Sequence, residues 1–253
     1  MRITPGLGVV LTGGAGDIGL AIARELLRHR SRIVLCDRKT HDETRRELAE
    51  LERLGDVRYC ELDVRDHEAV ATALARIDPL DVVIGNAGIV DSAPFLDISP
   101  QQWRTHLDVN LTGCFNVGQA GARLMMERRR PGRILFTSSW VQDVPWPEIA
   151  AYAVAKAGLK MLTRAMAAEL AAHSILVNAV APGIVDAGMA RHQRLTDPGY
   201  AARAAKAIPL GQLQTAEQVA RAVAMLCSDA ADYMTGSVLL ADGGCSLQTA
   251  ASA

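Results

Sequence analysis

The chain predicts an α/β fold: a single doubly wound domain whose seven-stranded parallel sheet carries helices on both faces. Three observations predict it. Short apolar runs alternate with longer helical patterns from end to end, the signature of right-handed βαβ units. Residues 1–253 are long enough for one domain with a substantial core, at 49% hydrophobic and 22% charged. The first apolar run also leads into clustered glycines and then a helix, the order that a phosphate-cradling turn requires.

The runs GVVLTG (8–13), RIVLCD (32–37), VRYCELD (57–63), DVVIGNAG (81–88), GRILFTSS (132–139), SILVNAVAPG (174–183) and SVLLADGG (237–244) read as seven buried strands. Amphipathic or Ala-rich helices lie between them. Two helix starts carry capping boxes: Ser99-Pro-Gln-Gln102, with Pro100 at the first helical position, and Thr215-Ala-Glu-Gln218. Arg128-Arg129-Arg130 follows Glu127 at the end of a helical stretch, where cations face the negative end of the helix dipole. The stretch 186–211 follows the sixth strand and carries a turn signal at Asp197-Pro198-Gly199. It is expected to be a lid over a site. With no internal repeat or linker, the whole chain, residues 1–253, is read as one domain.

The net charge of −1 supplies no field for nucleic acid or an anionic membrane. No apolar run approaches the roughly 18 residues that span a bilayer. Five scattered cysteines without a C-x-x-C pair argue against a disulfide framework and a zinc site, and no metal is expected. The opening residues enter a strand without a charged leader and long apolar region, so we expect no signal peptide and a cytoplasmic location.

Gly14-Ala-Gly16-Asp-Ile-Gly19 satisfies G-x-G-x-x-G between a strand and a helix. Asp37 ends the second strand 18 residues after Gly19. A carboxylate there can accept from adenosine ribose hydroxyls and repels a 2′-phosphate, which favours NAD over NADP. Arg38, its neighbour, argues the other way. Asp63, ending the third strand, and the turn Asn86-Ala87-Gly88, ending the fourth, would border the adenosine. Asp17 puts a negative charge into the turn itself. A diphosphate about 6 Å away would feel about 1–3 kcal/mol of repulsion. Asp17 is therefore expected to cap the first helix and point away.

Tyr152 and Lys156 lie four apart on a predicted helix and share a face. Tyrosine is a poor base near neutrality unless a cation favours its phenolate form. In order along the chain stand TGGAGDIG, NAG, Asn110 in DVNLTG, Ser139 in TSSW, Tyr152-x-x-x-Lys156 in YAVAK and Pro182-Gly183 in NAVAPG. Together they resemble the short-chain dehydrogenase/reductase family, in its short single-domain branch, across essentially the whole chain.

The resemblance implies a Rossmann domain and an NAD(P)-dependent enzyme acting on CH–OH groups. Tyr152 would take the alcohol proton, Lys156 would hold the nicotinamide ribose, Ser139 would bond the substrate oxygen, and Asn110 would hold a relaying water. It also places Gly13, Gly16, Ile18, Gly19, Val64, Ala87, Gly88, Pro182, Gly183 and Val185 against the cofactor, and implies a homotetramer. Three positions depart from the family pattern. Asp17 stands where the short branch has glycine, Gly85 where a second asparagine is usual, and Ala187 where a threonine often bonds the nicotinamide carboxamide.

Pro145-Trp146-Pro147, the segment 197–211 and the ending MTGSVLLADGG are similar to bacterial glucose 1-dehydrogenases. Two sugar-contacting positions are changed, to Val141 and Val90. Val141 and Trp146 join Ser139 as expected substrate contacts, with Asp91, Gln142 and Asp143 as further candidates. Arg191, His192 and Arg194 could greet an anionic substrate. Three readings stay open. The first is an NAD-dependent dehydrogenase of a sugar, polyol or cyclic alcohol. The second is an NADPH-dependent reductase of carbonyl or 3-oxoacyl-thioester substrates. The third is a non-catalytic nucleotide sensor.

Overall fold

The structure is a computed structural model and describes residues 1–188, 191, 195–196 and 198–247. Seven strands, β1 (Gly8–Thr12), β2 (Arg32–Asp37), β3 (Val57–Glu61), β4 (Val82–Gly85), β5 (Gly132–Thr137), β6 (Ile175–Pro182) and β7 (Val238–Ala241), form one sheet. Its order is β3-β2-β1-β4-β5-β6-β7, and every pair is parallel.

Alternation along each strand explains why both faces are covered. Val9, Leu11, Ile33, Leu35, Val82, Ile84 and Leu135 feed one apolar cluster, while Val10, Cys36, Val83, Ile134 and Phe136 feed another. The helices α1 (Asp17–Arg28), α2 (His41–Glu52) and α8 (Ala216–Leu226) cover the first face. The second face is covered by α3 (His67–Ala75), α5 (Gly113–Glu127) and α6 (Ala150–Leu170). Two further helices, α4 (Pro100–Leu107) and α7 (Pro198–Ala207), complete the set among the described residues. A third cluster of Trp140, Val141, Ile184, Tyr200, Ala204, Ala207, Ile208 and Cys245 lies beyond the sheet, around α7.

Apart from β2, which matches its run RIVLCD, the strands stop earlier than their apolar runs. After Gly85, Asn86 leaves the ladder: its N–H donates to Thr12 Oγ1 (3.1 Å) and its amide to the carbonyls of Thr12 and Gly13 (both 3.2 Å). After Ala241, the Asp242 carboxylate accepts the N–H groups of Gly244 (2.9 Å) and Ser246 (2.8 Å). The residues trimmed from these runs become the loops at the carboxyl end of the sheet. The order reverses between β1 and β4, and this switch point is where the crevice of such sheets opens.

Three local expectations are corrected or refined. The box at Thr215 and Gln218 is reciprocal, but that at Ser99 is half made. Ser99 accepts the Gln102 N–H (3.1 Å), while the Gln102 side chain goes to Asp91 instead. Arg128 caps a neighbouring helix, donating to the carbonyls of Ile77 (2.6 Å) and Ala75 (3.1 Å) at the end of α3. The residues Asp108–Thr112 form a π-helical segment that joins α4 to α5 and buries Asn110 completely.

Candidate active site

Gly13 turns the chain out of β1 with φ +62, and a Cβ there would meet Ala87 Cα at 2.7 Å. Only glycine lets the first and fourth strand ends approach so closely. Gly19 packs α1 under this turn, where a Cβ would stand 2.2 Å from the Gly13 carbonyl. Asp37 braces the turn from β2: its carboxylate accepts the Ala15 N–H (3.0 Å) and the Lys39 N–H (3.2 Å). Lys39 also reaches in, donating from Nζ to the Ala15 carbonyl (3.3 Å), a cation the motif reading passed over.

Asp17 does not cap α1. It is the first residue of the helix, Gly16 is the N-cap, and that cap has no side-chain bond. The carboxylate instead accepts the Gly188 N–H at 2.8 Å and pairs with Arg191 at 3.2 Å. A residue of the glycine turn thus holds the segment after β6. Arg191, expected to greet substrate, is engaged here, and His192, Arg194 and Asp197 lie outside the described residues.

The helix α6 presents Tyr152 and Lys156 one turn apart, with Lys156 Nζ 5.4 Å from the Tyr152 ring centroid. The buried Lys156 ammonium donates to the Thr137 carbonyl at the end of β5 (2.8 Å). Thr137 in turn donates to Asn86 (3.0 Å), so the fourth and fifth strand ends are tied together. Asn110 faces them from the π segment, accepting the Ile89 N–H and donating to the carbonyls of Ile89 and His106, all at 3.0 Å. A Cβ on Gly88 would lie 2.9 Å from Asn110 Oδ1 and 3.8 Å from Lys156 Nζ, which places all three side by side. Ser139 is buried at the start of a short 3-10 turn, Trp140–Gln142.

One cleft of about 340 Å³ runs through these groups. Gly13, Gly16, Asp17, Ile18, Gly19, Asp37, Asn86, Gly88, Pro182, Gly183 and Val185 line it together with Ser139, Val141, Trp146, Tyr152 and Lys156. Four expected residues do not line it. Asp63 is clasped by Arg65, whose hydrogen bonds hold its carboxyl below the usual range against the upward pull of burial. Val64 is packed in the core under α5 at Gly113. Ala87 backs the Gly13 turn, and Asn110 acts through Ile89. Asp91, Gln142 and Asp143 are also engaged elsewhere. Tyr200 and Arg203 of α7, which the sequence reading did not single out, do line the cleft. Ala187 lines it with no polar side chain. Gly85 has no room for the more usual asparagine, because a Cβ there would lie 2.7 Å from the Phe136 ring. Among the described residues no group of His, Cys, Asp and Glu could hold a metal, and no helix is long and apolar enough to cross a membrane.

Residues 13–246 match the family described as enoyl-(acyl carrier protein) reductase. A 3beta-hydroxysteroid dehydrogenase 1 of Eggerthella lenta is 34% identical over 244 residues, 94% of this chain and 93% of the relative. The chain belongs to the short-chain dehydrogenase/reductase family. Two solved members show how closely the fold agrees. A putative NAD(P) dependent gluconate 5-dehydrogenase from Beutenbergia cavernae, with bound NADP, is 32% identical with TM-score 0.91, covering 97% of this chain and 99% of that one. Carveol dehydrogenase from Mycobacterium avium, in complex with NAD, is 27% identical with TM-score 0.90, covering 98% of this chain and all of that one (100%). As a short-chain dehydrogenase/reductase, the protein is an NAD(P)-dependent oxidoreductase acting on CH–OH groups.

Proposed function

We propose that the protein uses NAD to oxidise a secondary alcohol or hemiacetal, of the sugar, polyol or cyclic-alcohol class. The observation that carries this reading is the single cleft joining the glycine turn and Asp37 to Ser139, Tyr152 and Lys156. The residues present fit a dinucleotide. The turn keeps its backbone bare where a Cβ would collide, a helix N-terminus lies beneath it, and a carboxylate closes the β2 end. Gly13, Gly16, Ile18, Gly19, Asp37, Asn86, Gly88, Pro182, Gly183 and Val185 would hold it, and the bound nicotinamide supplies the hydride acceptor.

Tyr152 Oη takes the proton from the substrate hydroxyl, with the Lys156 ammonium 5.4 Å from the centre of its ring. Ser139 Oγ donates to the substrate oxygen and orients the carbinol. Thr137 fixes Lys156 through its carbonyl, and Asn110 fixes the Gly88–Ile89 turn beside it. Val141, Trp146 and Tyr200 exclude water from the reacting end. The segment at about 186–211 acts as the lid, with α7 as its body. A homotetramer in the cytoplasm accords with exposed Val154 and Met161 on α6 and Leu240 on β7, and with five free cysteines.

A second reading, reduction with NADPH, has one observation in its favour. Lys39 joins Arg38 next to Asp37, so two cations stand where a 2′-phosphate would come. Asp37→Asn decides between them. It keeps an oxygen for the Ala15 N–H and removes the charge. The kcat/KM ratio of NAD over NADP is expected to exceed 10 in the wild type and to fall about tenfold in the variant. A wild type that prefers NADP would overturn the NAD reading.

A further inference from the structure

The far end of the cleft is walled by Val90, Val141, Trp146, Ile149, Ile184 and Tyr200. Trp146 stacks edge-on against Trp140, with ring centroids 5.3 Å apart. Val141, Ile184 and Tyr200 belong to the third apolar cluster, and Trp146, Ile149 and Tyr152 itself pack on it. The wall beside the reacting groups is therefore mainly hydrocarbon and aromatic surface.

Nearby polar side chains are committed elsewhere. Gln142 accepts from Ser138 Oγ (2.7 Å) and donates to Asp143 (3.2 Å). The other Asp143 oxygen takes Lys160 (2.6 Å), and Asp91 accepts from Gln102 (3.1 Å). None of these three lines the cleft. Ser92, Glu148 and Arg203 are the polar side chains that this end adds to Ser139 and Tyr152. A polyol brings several hydroxyls, and those set against the apolar side chains, away from Ser92, Glu148 and Arg203, would lose their water without a replacement partner. A ring with a single carbinol presents one hydroxyl to Ser139 and Tyr152 and covers the rest of the wall with carbon.

Resting on the dehydrogenase reading above, we infer that the substrate is an alicyclic secondary alcohol: a saturated, largely apolar ring system bearing the reacting carbinol. The carbinol carbon loses a hydride to the oxidised nicotinamide and its oxygen loses a proton to Tyr152 Oη, leaving a ring ketone. Val90 and Val141 disfavour polyhydroxylated substrates, while Trp146 and Tyr200 clasp the ring faces.

The test offers cyclohexanol, a monocyclic terpenoid alcohol and a 3-hydroxysteroid against glucose, gluconate and sorbitol, with NAD and NADP in parallel. The best alicyclic alcohol is expected to exceed the best sugar by about 100-fold in kcat/KM. A sugar, sugar acid or open-chain polyol in front overturns the inference and leaves the oxidoreductase reading standing. No turnover in any class, with NADH binding shown by fluorescence, overturns that reading and the inference with it. Trp146→Ala should raise KM for the alicyclic alcohol about tenfold with kcat within twofold, since wall contacts bind ground and transition states alike. An unchanged KM overturns the assignment of the wall. Quenching of tryptophan emission by a cyclic ketone in the NADH-loaded wild type reads the same contact without a variant. No quenching counts against it.

Discussion

Asp17 ties two parts of the molecule that lie 171 residues apart, Gly188 and the first turn of α1. Its ion pair with Arg191 is exposed on both sides, at 46% and 42%, and such pairs contribute little on their own. With the Gly188 hydrogen bond the link is worth about 1 kcal/mol, roughly a fivefold change in the population of the docked segment. Asp17→Ala is therefore expected to raise the substrate KM a few-fold while moving Tm by no more than a few degrees. Steady-state kinetics and a thermal melt read both, and an unchanged KM contradicts the link. Asp17 was conspicuous in the sequence, but its partner was not. Sequence patterns report local geometry, such as Tyr152 and Lys156 one helical turn apart, and carry no record of which distant backbone N–H a carboxylate will find. Arg203 and Tyr200 went unnoticed for the same reason: a helix of alanines and scattered polar residues does not announce which face looks into a cleft.

At the scale of elements, the five inner strands were legible because both faces of the sheet are covered and their apolar runs are nearly unbroken, whereas the edge strands β3 and β7, expected to be buried, hold no buried residue. Apart from β2, the strand ends were not legible, because the last residues of a run such as Asn86 or Asp242 trade ladder bonds for loop bonds. The π segment at Asp108–Thr112 was equally hidden, since one extra residue in a helical turn leaves no compositional trace. The turn after β7 yields a prediction at this scale. Burial pulls the Asp242 carboxyl upward, but the hydrogen bonds from Ser246 and Gly244 win and hold it below the usual carboxylate value. A depressed folded value means that its stabilisation is complete above the unfolded pKa, near 3.9, and is lost as pH falls through the lower folded value. Asp242→Asn should therefore lower Tm at pH 7 and show a smaller gap from wild type below about pH 3. Calorimetry across that range checks it, and a gap independent of pH would contradict it. Gly183, which could not carry a Cβ within 2.6 Å of the Asp242 carbonyl, ties this turn to the cleft.

The whole molecule places chemistry where the strand order reverses, and it separates the two tasks along one cleft. The glycine turn and Asp37 hold one end; the Trp140–Trp146 wall and α7 close the other. Family membership was legible because six motifs fall in order, each fixed by a local backbone or helical requirement. The substrate was not legible, because its wall is assembled from Val90, Val141, Ile184 and Tyr200, residues from three separate crossovers, β4–β5, β5–β6 and β6–β7. Similarity to sugar dehydrogenases in sequence therefore coexists with a site whose polar candidates, Asp91, Gln142 and Asp143, are bonded to other protein groups. The central claim is that Tyr152, set beside Lys156, moves the alcohol proton. The most direct measurement is the rate of NADH formation by wild type and Tyr152→Phe at saturating alcohol, with NADH binding measured on both. Loss of 10²-fold or more in kcat, on the order of general acid–base catalysis, with NADH affinity within about threefold, is the predicted result. A Tyr152→Phe enzyme that turns over like the wild type would contradict the account.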